Sequence, residues 1–282
     1  LSLNDLTLNA DIVAEFNKIF AGYGLDLARY KPAFIKRRLD RRMRILNISD
    51  YSQYILALKN NRKEFEEIFT SLSINVTNFF RDSTVFDRFQ LSILPKILSS
   101  LGDGNKIRVW SAGCASGEEP YSIAMMFKQA IGKLSNLEVE IIANDVNKFA
   151  IQFAERGRYP AKGVESLPPS IILNNFQKIR DDNNNIEYEI ISEIKNMVTF
   201  KVGDILSDTM QSFDVIFCRN VLIYYEKEAQ ELIFTKFHRG LKNSGYLVLG
   251  MDETMFGRRC QKLFNPLMAR ERIYQKMLQQ DN

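Results

Sequence analysis

The chain has 282 residues, 45% of them hydrophobic, and a formal net charge of +4. That is enough apolar material for one large domain or two modest ones, and too mild a charge to argue for nucleic acid. The longest apolar runs, such as residues 215–218, stop far short of a membrane span, and the start carries no charged-then-apolar leader pattern, so a cytoplasmic globular protein without direct membrane insertion is expected.

Three scattered cysteines, Cys114, Cys218 and Cys260, support neither a disulfide framework nor a metal site, and the single histidine, His238, reads as a helix-surface residue. Residues 9–23 place Ile12, Val13, Phe16, Ile19 and Phe20 on one helical stripe that stops at Gly22 and Gly24. After Pro32, residues 34–46 keep an apolar line through Ile35, Leu39, Met43 and Leu46, while most other positions are basic. Arg37, Arg41 and Arg44 fall on one flank, with Arg38 and Arg42 beside them, a cationic face suited to docking an acidic partner. Ser49 reads as the N-cap of a third helix, with Tyr51, Tyr54, Ile55 and Leu58 inward, and Phe65, Ile68, Phe69 and Leu72 mark a fourth. Residues 1–83 are therefore expected to form an all-α N-terminal domain. At its end Asn75, Thr77 and Arg81 cluster around Phe79 and Phe80, either as a helix connection or as a lid that contacts a ligand. Residues 84–105 read as a linker helix, interrupted at Pro95, that bridges to a second domain.

From residue 106 the pattern changes to α/β. Strands are expected at 106–112, 139–143, 213–218 and 246–250, and helices at 120–133, 148–156 and 227–241, which implies a mainly parallel sheet. Such sheets bind ligands at the carboxyl ends of their strands. After the first strand comes a loop of small residues including Gly113, then a helix opening with Glu118, Glu119 and Pro120. Two carboxylates there would repel a pyrophosphate but suit ribose hydroxyls, so a nucleoside ligand with little negative charge is expected. Asp145, just past the second strand, is placed to accept both ribose hydroxyls. Between residues 155 and 199 the rhythm breaks at Pro160, Pro168 and Pro169, a turn is expected at 181–185, and strands at 186–191 and 197–202. This reads as a small inserted antiparallel subdomain over about 157–200 within a domain of 106–282. Residues 269–277 alternate as a final strand, and no internal repeat is present.

Four segments, taken together, resemble the CheR family of chemotaxis receptor glutamate methyltransferases, which use S-adenosylmethionine. They are Asn75-x-Thr77-x-Phe79-Phe80-Arg81, the loop from Val109 through Ser122, Asp145, and the stretch from Phe213 through Arg219, Asn220 and Tyr224 to Tyr225. The resemblance implies an all-α N-terminal domain followed by a Rossmann-like methyltransferase domain with one reversed strand and a small β-subdomain. It also implies that Glu119 and Asp145 hold the cofactor, with Gly113 in its loop and Asn75, Thr77 and Arg81 closing over it. Asp204 and Ile205 would flank the adenine, where the family more usually has Asn-Leu, so one amide donor is lost. Arg219, Asn220 and Tyr224 would line the reacting end. The implied substrate is the coiled coil of a receptor's cytoplasmic domain, docked on Arg37, Arg38, Arg41, Arg42 and Arg44. S-adenosylhomocysteine would be the product. With no glycine cluster at 181–185, tight binding of a receptor tail pentapeptide is not expected, nor is a metal, and the chain is expected to be monomeric.

The residue inventory fits that chemistry. A glutamate side chain is already ionised near neutral pH, so attack on a sulfonium methyl needs no general base, and a chain with one histidine is not handicapped. Arg81, Arg219 and Tyr224 can steer and orient a carboxylate without transferring a proton. A non-catalytic S-adenosylmethionine-binding scaffold would have eroded Arg81, Glu119, Asp145 or Tyr224, and none is eroded. An enzyme acting on nucleic acid amino groups would want an Asn/Asp-Pro-Pro-Tyr motif, which is lacking.

Overall fold

The structure is a computed structural model that describes residues 8–73, 77–101, 106–132, 137–207, 210–255 and 257–278. Residues 1–75 with 223–230 form one compact unit, and residues 76–222 with 231–282 form the other.

The smaller unit is helical: α1 (Ala10–Phe20), α2 (Pro32–Ile45), α3 (Tyr51–Asn60) and α4 (Arg62–Leu72). Asn9 caps α1 by accepting the Ile12 N–H, and Gly24, at φ 82°, turns the chain after a 3-10 turn at Ala21–Tyr23. The cap of α3 is Asp50 rather than Ser49; its carboxylate accepts the Gln53 N–H, and an acid at a helix start gains from the helix dipole as well. Phe16, Phe20, Leu39, Met43, Tyr54 and Ile68 are fully buried, and Phe16 and Phe20 stack on each other, with Tyr51 edge-on to Phe16 and Phe65 stacked on Phe20. The interior also holds two carboxylates. Asp40 accepts from Tyr51 Oη (2.9 Å) and Lys36 Nζ (2.7 Å). Glu64 accepts from Tyr54 Oη (2.6 Å) and from both Nε (3.0 Å) and Nη2 of Arg42.

Arg42 is thus a structural residue. The pattern of the basic helix could not reveal this, because Glu64 lies on another helix 22 positions away. Removing one partner of a buried pair leaves the other charge uncompensated. Arg42→Ala should therefore destabilise the helical unit by about 3 kcal/mol, measured by urea unfolding, whereas exposed Arg41→Ala should change little.

The larger unit begins with α5 (Ser83–Arg88), a π-helical turn at Phe89–Ile93, and α6 (Leu94–Ser100). Pro95 lacks an N–H and its ring crowds the carbonyl one turn back, which accounts for the widened turn directly before it. Val85, Phe86, Phe89, Ile93 and Ile97 pack into the core beneath the sheet, so these helices belong to this unit. There follow β1 (Lys106–Ala112), α7 (Glu118–Ile131), β2 (Glu138–Asp145), α8 (Lys148–Arg156), β3 (Arg158–Pro160), α9 (Ala161–Val164), α10 (Pro169–Asn175), β4 (Phe176–Arg180), β5 (Ile186–Ile190), α11 (Ser192–Lys195) and β6 (Val198–Val202). The chain closes with β7 (Phe213–Cys218), α12 (Lys227–Gly240), β8 (Leu241–Leu249), α13 (Arg258–Gln261), β9 (Phe264–Met268) and β10 (Ile273–Lys276).

The seven-stranded sheet has the order β6-β2-β1-β7-β8-β10-β9. The pairs from β6 to β8 are parallel, and β10 runs antiparallel to both β8 and β9, the one reversed strand. Alternation along the strands divides the core: Ile107, Val109, Val215 and Phe217 pack with α5, α6 and α7, while Trp110 faces Phe237 of α12 at 5.3 Å. A separate three-stranded antiparallel sheet, β3-β5-β4, is the expected insert. The strand near residues 197–202 belongs elsewhere: β6 pairs in parallel with β2 as an edge of the main sheet. His238 is also not a surface residue. It is buried, its Nε2 lies 2.8 Å from the Met277 carbonyl, and burial lowers its pKa. Among the described residues no helix is long and apolar enough to cross a membrane.

Candidate active site

Strands β2, β1, β7 and β8 are parallel neighbours, so the residues that follow each strand meet along one edge of the sheet. The loop after β1 is tied to β2 by its backbone. The N–H groups of Gly113 and Cys114 both donate to the Asn144 carbonyl (2.9 and 3.0 Å), and Trp110 Nε1 donates to Asn144 Oδ1 (2.7 Å). Gly113 has φ +79°, and a Cβ there would meet Val221 Cγ2 at 2.6 Å, so only glycine fits between this loop and the turn after β7.

Three carboxylates line this edge. Asp145 accepts the Ala115 N–H through Oδ2 (2.9 Å) and the Asn147 N–H through Oδ1 (2.8 Å). Burial pushes its carboxyl up to about 6, against the pull of those N–H groups. Glu119 accepts from Ser111 Oγ (2.7 Å) and lies 3.8 Å from Arg219 Nη1. Burial raises its pKa, and Arg219 and Ser111 oppose the shift. Glu118, one residue earlier, bonds to Ser116 Oγ (2.7 Å) and is pushed by burial to about 7. Of the two glutamates, Glu119 is therefore the one joined to the residues after β7.

Arg219 ties the site together. Its side chain is only 2% exposed, and Nη2 donates to the Arg81 carbonyl (2.7 Å) and to Asp82 Oδ2 (2.8 Å). The segment carrying Arg81 is also fixed by the Phe80 N–H, which donates to Ser122 Oγ (2.8 Å), and by Phe79, packed edge-on against Tyr159 and Phe176. Thr77 and Arg81 are half-buried in this segment; Asn75 lies outside the described residues. On the far side of Asp145, the Gly203 N–H donates to the Asp145 carbonyl (3.0 Å), which brings half-buried Asp204 and buried Ile205 to the same edge. Asp204 Oδ1 itself accepts the Leu206 N–H (3.0 Å).

Two polar atoms at this edge are buried without a hydrogen-bond partner: Arg219 Nε, a donor, and Asn220 Oδ1, an acceptor. Buried polar atoms are rarely left unpaired, and a small polar ligand carrying both donors and acceptors would satisfy them. The side-chain set, two buried carboxylates, a third that is half-buried, and one arginine, fits a cationic nucleoside such as S-adenosylmethionine better than a phosphate-bearing one. Among the described residues no cluster of His, Cys, Asp or Glu could hold a metal ion.

Tyr224 falls in the smaller unit. Its ring lies 5.0 Å from that of Phe34 on α2, and the Arg38 guanidinium sits 5.4 Å from the same Phe34 ring. Arg37, Arg41 and Arg44 are exposed on that helix. Sequence reasoning missed Ser111 and Asp82 as partners of Glu119 and Arg219. Ser111 lies eight residues before Glu119, a usable hint, whereas Asp82 and Arg219 are 137 residues apart.

Comparison with known proteins agrees with this geometry. Residues 10–73 match the all-alpha domain of the CheR methyltransferases, and residues 75–272 match their SAM binding domain. A chemotaxis protein methyltransferase of Borreliella burgdorferi is 31% identical over 267 residues, covering 90% of this chain and 93% of that protein. One from Listeria monocytogenes is 32% identical over 231 residues, covering 82% and 84%. Chemotaxis protein methyltransferase 2 of Vibrio cholerae is 31% identical over 238 residues, covering 82% and 81%. The chain belongs to the CheR methyltransferase family and is an S-adenosylmethionine-dependent methyltransferase.

Proposed function

We propose that this chain methylates glutamate side chains in the cytoplasmic coiled coil of a chemoreceptor, forming glutamate methyl esters. The observation that carries the reading is the buried set of Glu119, Asp145 and Arg219 beside two orphaned polar atoms, in a site without an imidazole. The relatives named chemotaxis protein methyltransferase support the receptor as substrate.

S-adenosylmethionine supplies an electrophilic methyl group on a sulfonium sulfur and leaves as S-adenosylhomocysteine once the glutamate oxygen has taken that carbon. The chain's own work is binding, orientation and exclusion of water. Asp145 accepts the ribose hydroxyls with the acceptor capacity that its backbone bonds leave. Glu119 offers its carboxylate to the cationic end of the cofactor, and Asp204 and Ile205 border the adenine. Asn75, Thr77 and Arg81, with Gly113 and Asn220, complete the cofactor's surroundings. Arg81, Arg219 and Tyr224 steer the incoming carboxylate. A carboxylate gripped too firmly by arginine would be a poor nucleophile; Arg219, already bonded to Asp82 and the Arg81 carbonyl, is restrained from such a grip.

The receptor is proposed to dock on α2 through Arg37, Arg38, Arg41 and Arg44, with half-buried Tyr224, backed by the buried Phe34 ring, contributing apolar surface on the same unit. Arg42 supports that helix from within through Glu64. Charge reversal at Arg37 and Arg41 should weaken receptor binding about tenfold, more at low than at high salt, while leaving S-adenosylhomocysteine binding unchanged. The defining experiment is transfer of a labelled methyl group from S-adenosylmethionine to a receptor cytoplasmic fragment. Label released as methanol by mild alkali and mapped to glutamate supports the reading; base-stable label, or none, overturns it.

A further inference from the structure

The turn that carries Arg219 and Asn220 has no regular structure of its own to hold it. It leaves β7 at Cys218, places Asn220 in the left-handed region at φ 60°, and runs on to Leu222. Its backbone N–H groups point inward, and all three that follow Arg219 end on one carboxylate. Glu253 Oε2 accepts the Asn220 N–H (2.9 Å), and Oε1 accepts those of Val221 (2.8 Å) and Leu222 (2.7 Å). A fourth N–H, from Gly250, reaches Oε2 at 2.6 Å. Glu253 is 2% exposed, so these bonds take the place of water.

The topology explains why such a carboxylate can serve a turn more than thirty residues away. β7 and β8 are parallel neighbours, with Cys218 opposite Leu249, so the turns at 219–222 and 250–253 leave the sheet side by side. Their approach is close: a Cβ on Gly250 would lie 2.6 Å from the Asn220 nitrogen and 2.8 Å from Glu253 Oε2. The short turn from Gly250 to Glu253 is closed by the Glu253 N–H donating to the Gly250 carbonyl (3.0 Å). Together the two turns make a socket of four N–H donors around one buried anion. Burial raises the Glu253 pKa while the N–H groups favour its charged form.

We propose that Glu253 is a positioning residue for methyl transfer: its carboxylate sets the shape of the Arg219–Leu222 turn and thereby the placement of Arg219 and Asn220 toward the cofactor. This rests on the reading that the chain binds S-adenosylmethionine through those residues. A carboxylate is required because each oxygen faces two N–H donors. A glutamine would turn its NH2 group toward one pair whichever way its amide is oriented.

Titration of the full chain with S-adenosylhomocysteine tests both statements separately. If the wild type does not bind, the cofactor reading fails and this proposal with it. If it binds, Glu253→Gln is expected to raise Kd at least about tenfold and to lower kcat about a hundredfold, the scale of a displacement near 1 Å at a reacting centre. Loss of folded molecules alone would lower the binding stoichiometry and leave Kd unchanged, and that result would overturn the proposal. Should Glu253→Gln not fold, hydrogen exchange of the wild type decides. Amides 220–222 should be protected to the level of strand β7, and rapid exchange there would overturn it.

Discussion

Replacing Arg219 with methionine is expected to lower kcat/KM for methyl transfer by about 10²- to 10³-fold, the cost of truncating one member of a buried, hydrogen-bonded charge set. The guanidinium holds the Arg81–Asp82 segment by two bonds of 2.7 and 2.8 Å and stands 3.8 Å from Glu119. Methionine keeps the volume and loses all three contacts. Glu119 then keeps the Ser111 hydrogen bond and the more distant Arg81 charge, and its pKa, already raised by burial and held down chiefly by Arg219, rises further. A protonated Glu119 no longer attracts a cationic ligand, so KM for S-adenosylmethionine should rise. Release of the Arg81 segment should lower kcat as well. Arg219→Lys keeps the charge but cannot reach the carbonyl and the carboxylate with a planar fork, and it should recover only part of the loss. If Arg219→Met changed KM and kcat by less than twofold, the assignment of Arg219 to the site would be wrong.

How far the sequence reveals this arrangement depends on which forces are local. Strands β1 and β7 are legible to the residue because each begins with alternation and ends covered on both faces, which writes the apolar pairs and runs Val109–Trp110 and Val215–Cys218. Strand β9 leaves no such trace. It is an edge strand with Pro266 in its middle, and of its five residues only Phe264 is buried, so neither an apolar run nor an alternation marks it. The stretch near residue 198 reads correctly as a strand but pairs with β2 rather than with the insert, since partner choice is a long-range property. His238 has the polar neighbour Arg239 and so reads as exposed, yet the C-terminal strand folds back to cover it. The site divides the same way. Glu119 and Asp145 are visible because they lie past the end of β1 and at the end of β2 at motif spacing, whereas Asp82 and Glu253 act across 137 and about thirty residues and have no local signature.

The ligand-free protein and the cofactor complex should respond to acid in opposite directions. Glu118, Glu119, Asp145 and Glu253 all have pKa values raised by burial. A carboxyl whose folded pKa exceeds its unfolded value binds its proton more tightly when folded. Its stabilising contribution is therefore complete below the unfolded pKa and lost as pH rises through the folded one. For Asp145 the window runs from 3.8 to about 6, and for Glu118 from 4.5 to about 7. Ionising either Asp145 or Glu118 costs the larger unit on the order of 3 kcal/mol at pH 8. The melting temperature without ligand should thus be higher near pH 5.5 than near pH 8.

Cofactor binding inverts the preference, because ribose hydroxyls donate to an ionised Asp145 and not to its protonated oxygen. With a free-state pKa of about 6, affinity for S-adenosylhomocysteine should fall roughly tenfold between pH 7.5 and pH 5. Calorimetric titration across that range measures the fall, and Asp145→Asn should abolish the trend along with most of the affinity. Glu118→Gln, which removes the neighbouring acid with a pKa near 7, should leave the lower-pH limb in place. A flat affinity profile in the wild type would mean that Asp145 does not meet the ribose. Buried acids kept without full counter-charge are the stability cost of a site shaped for a cation, and ligand occupancy is what offsets it.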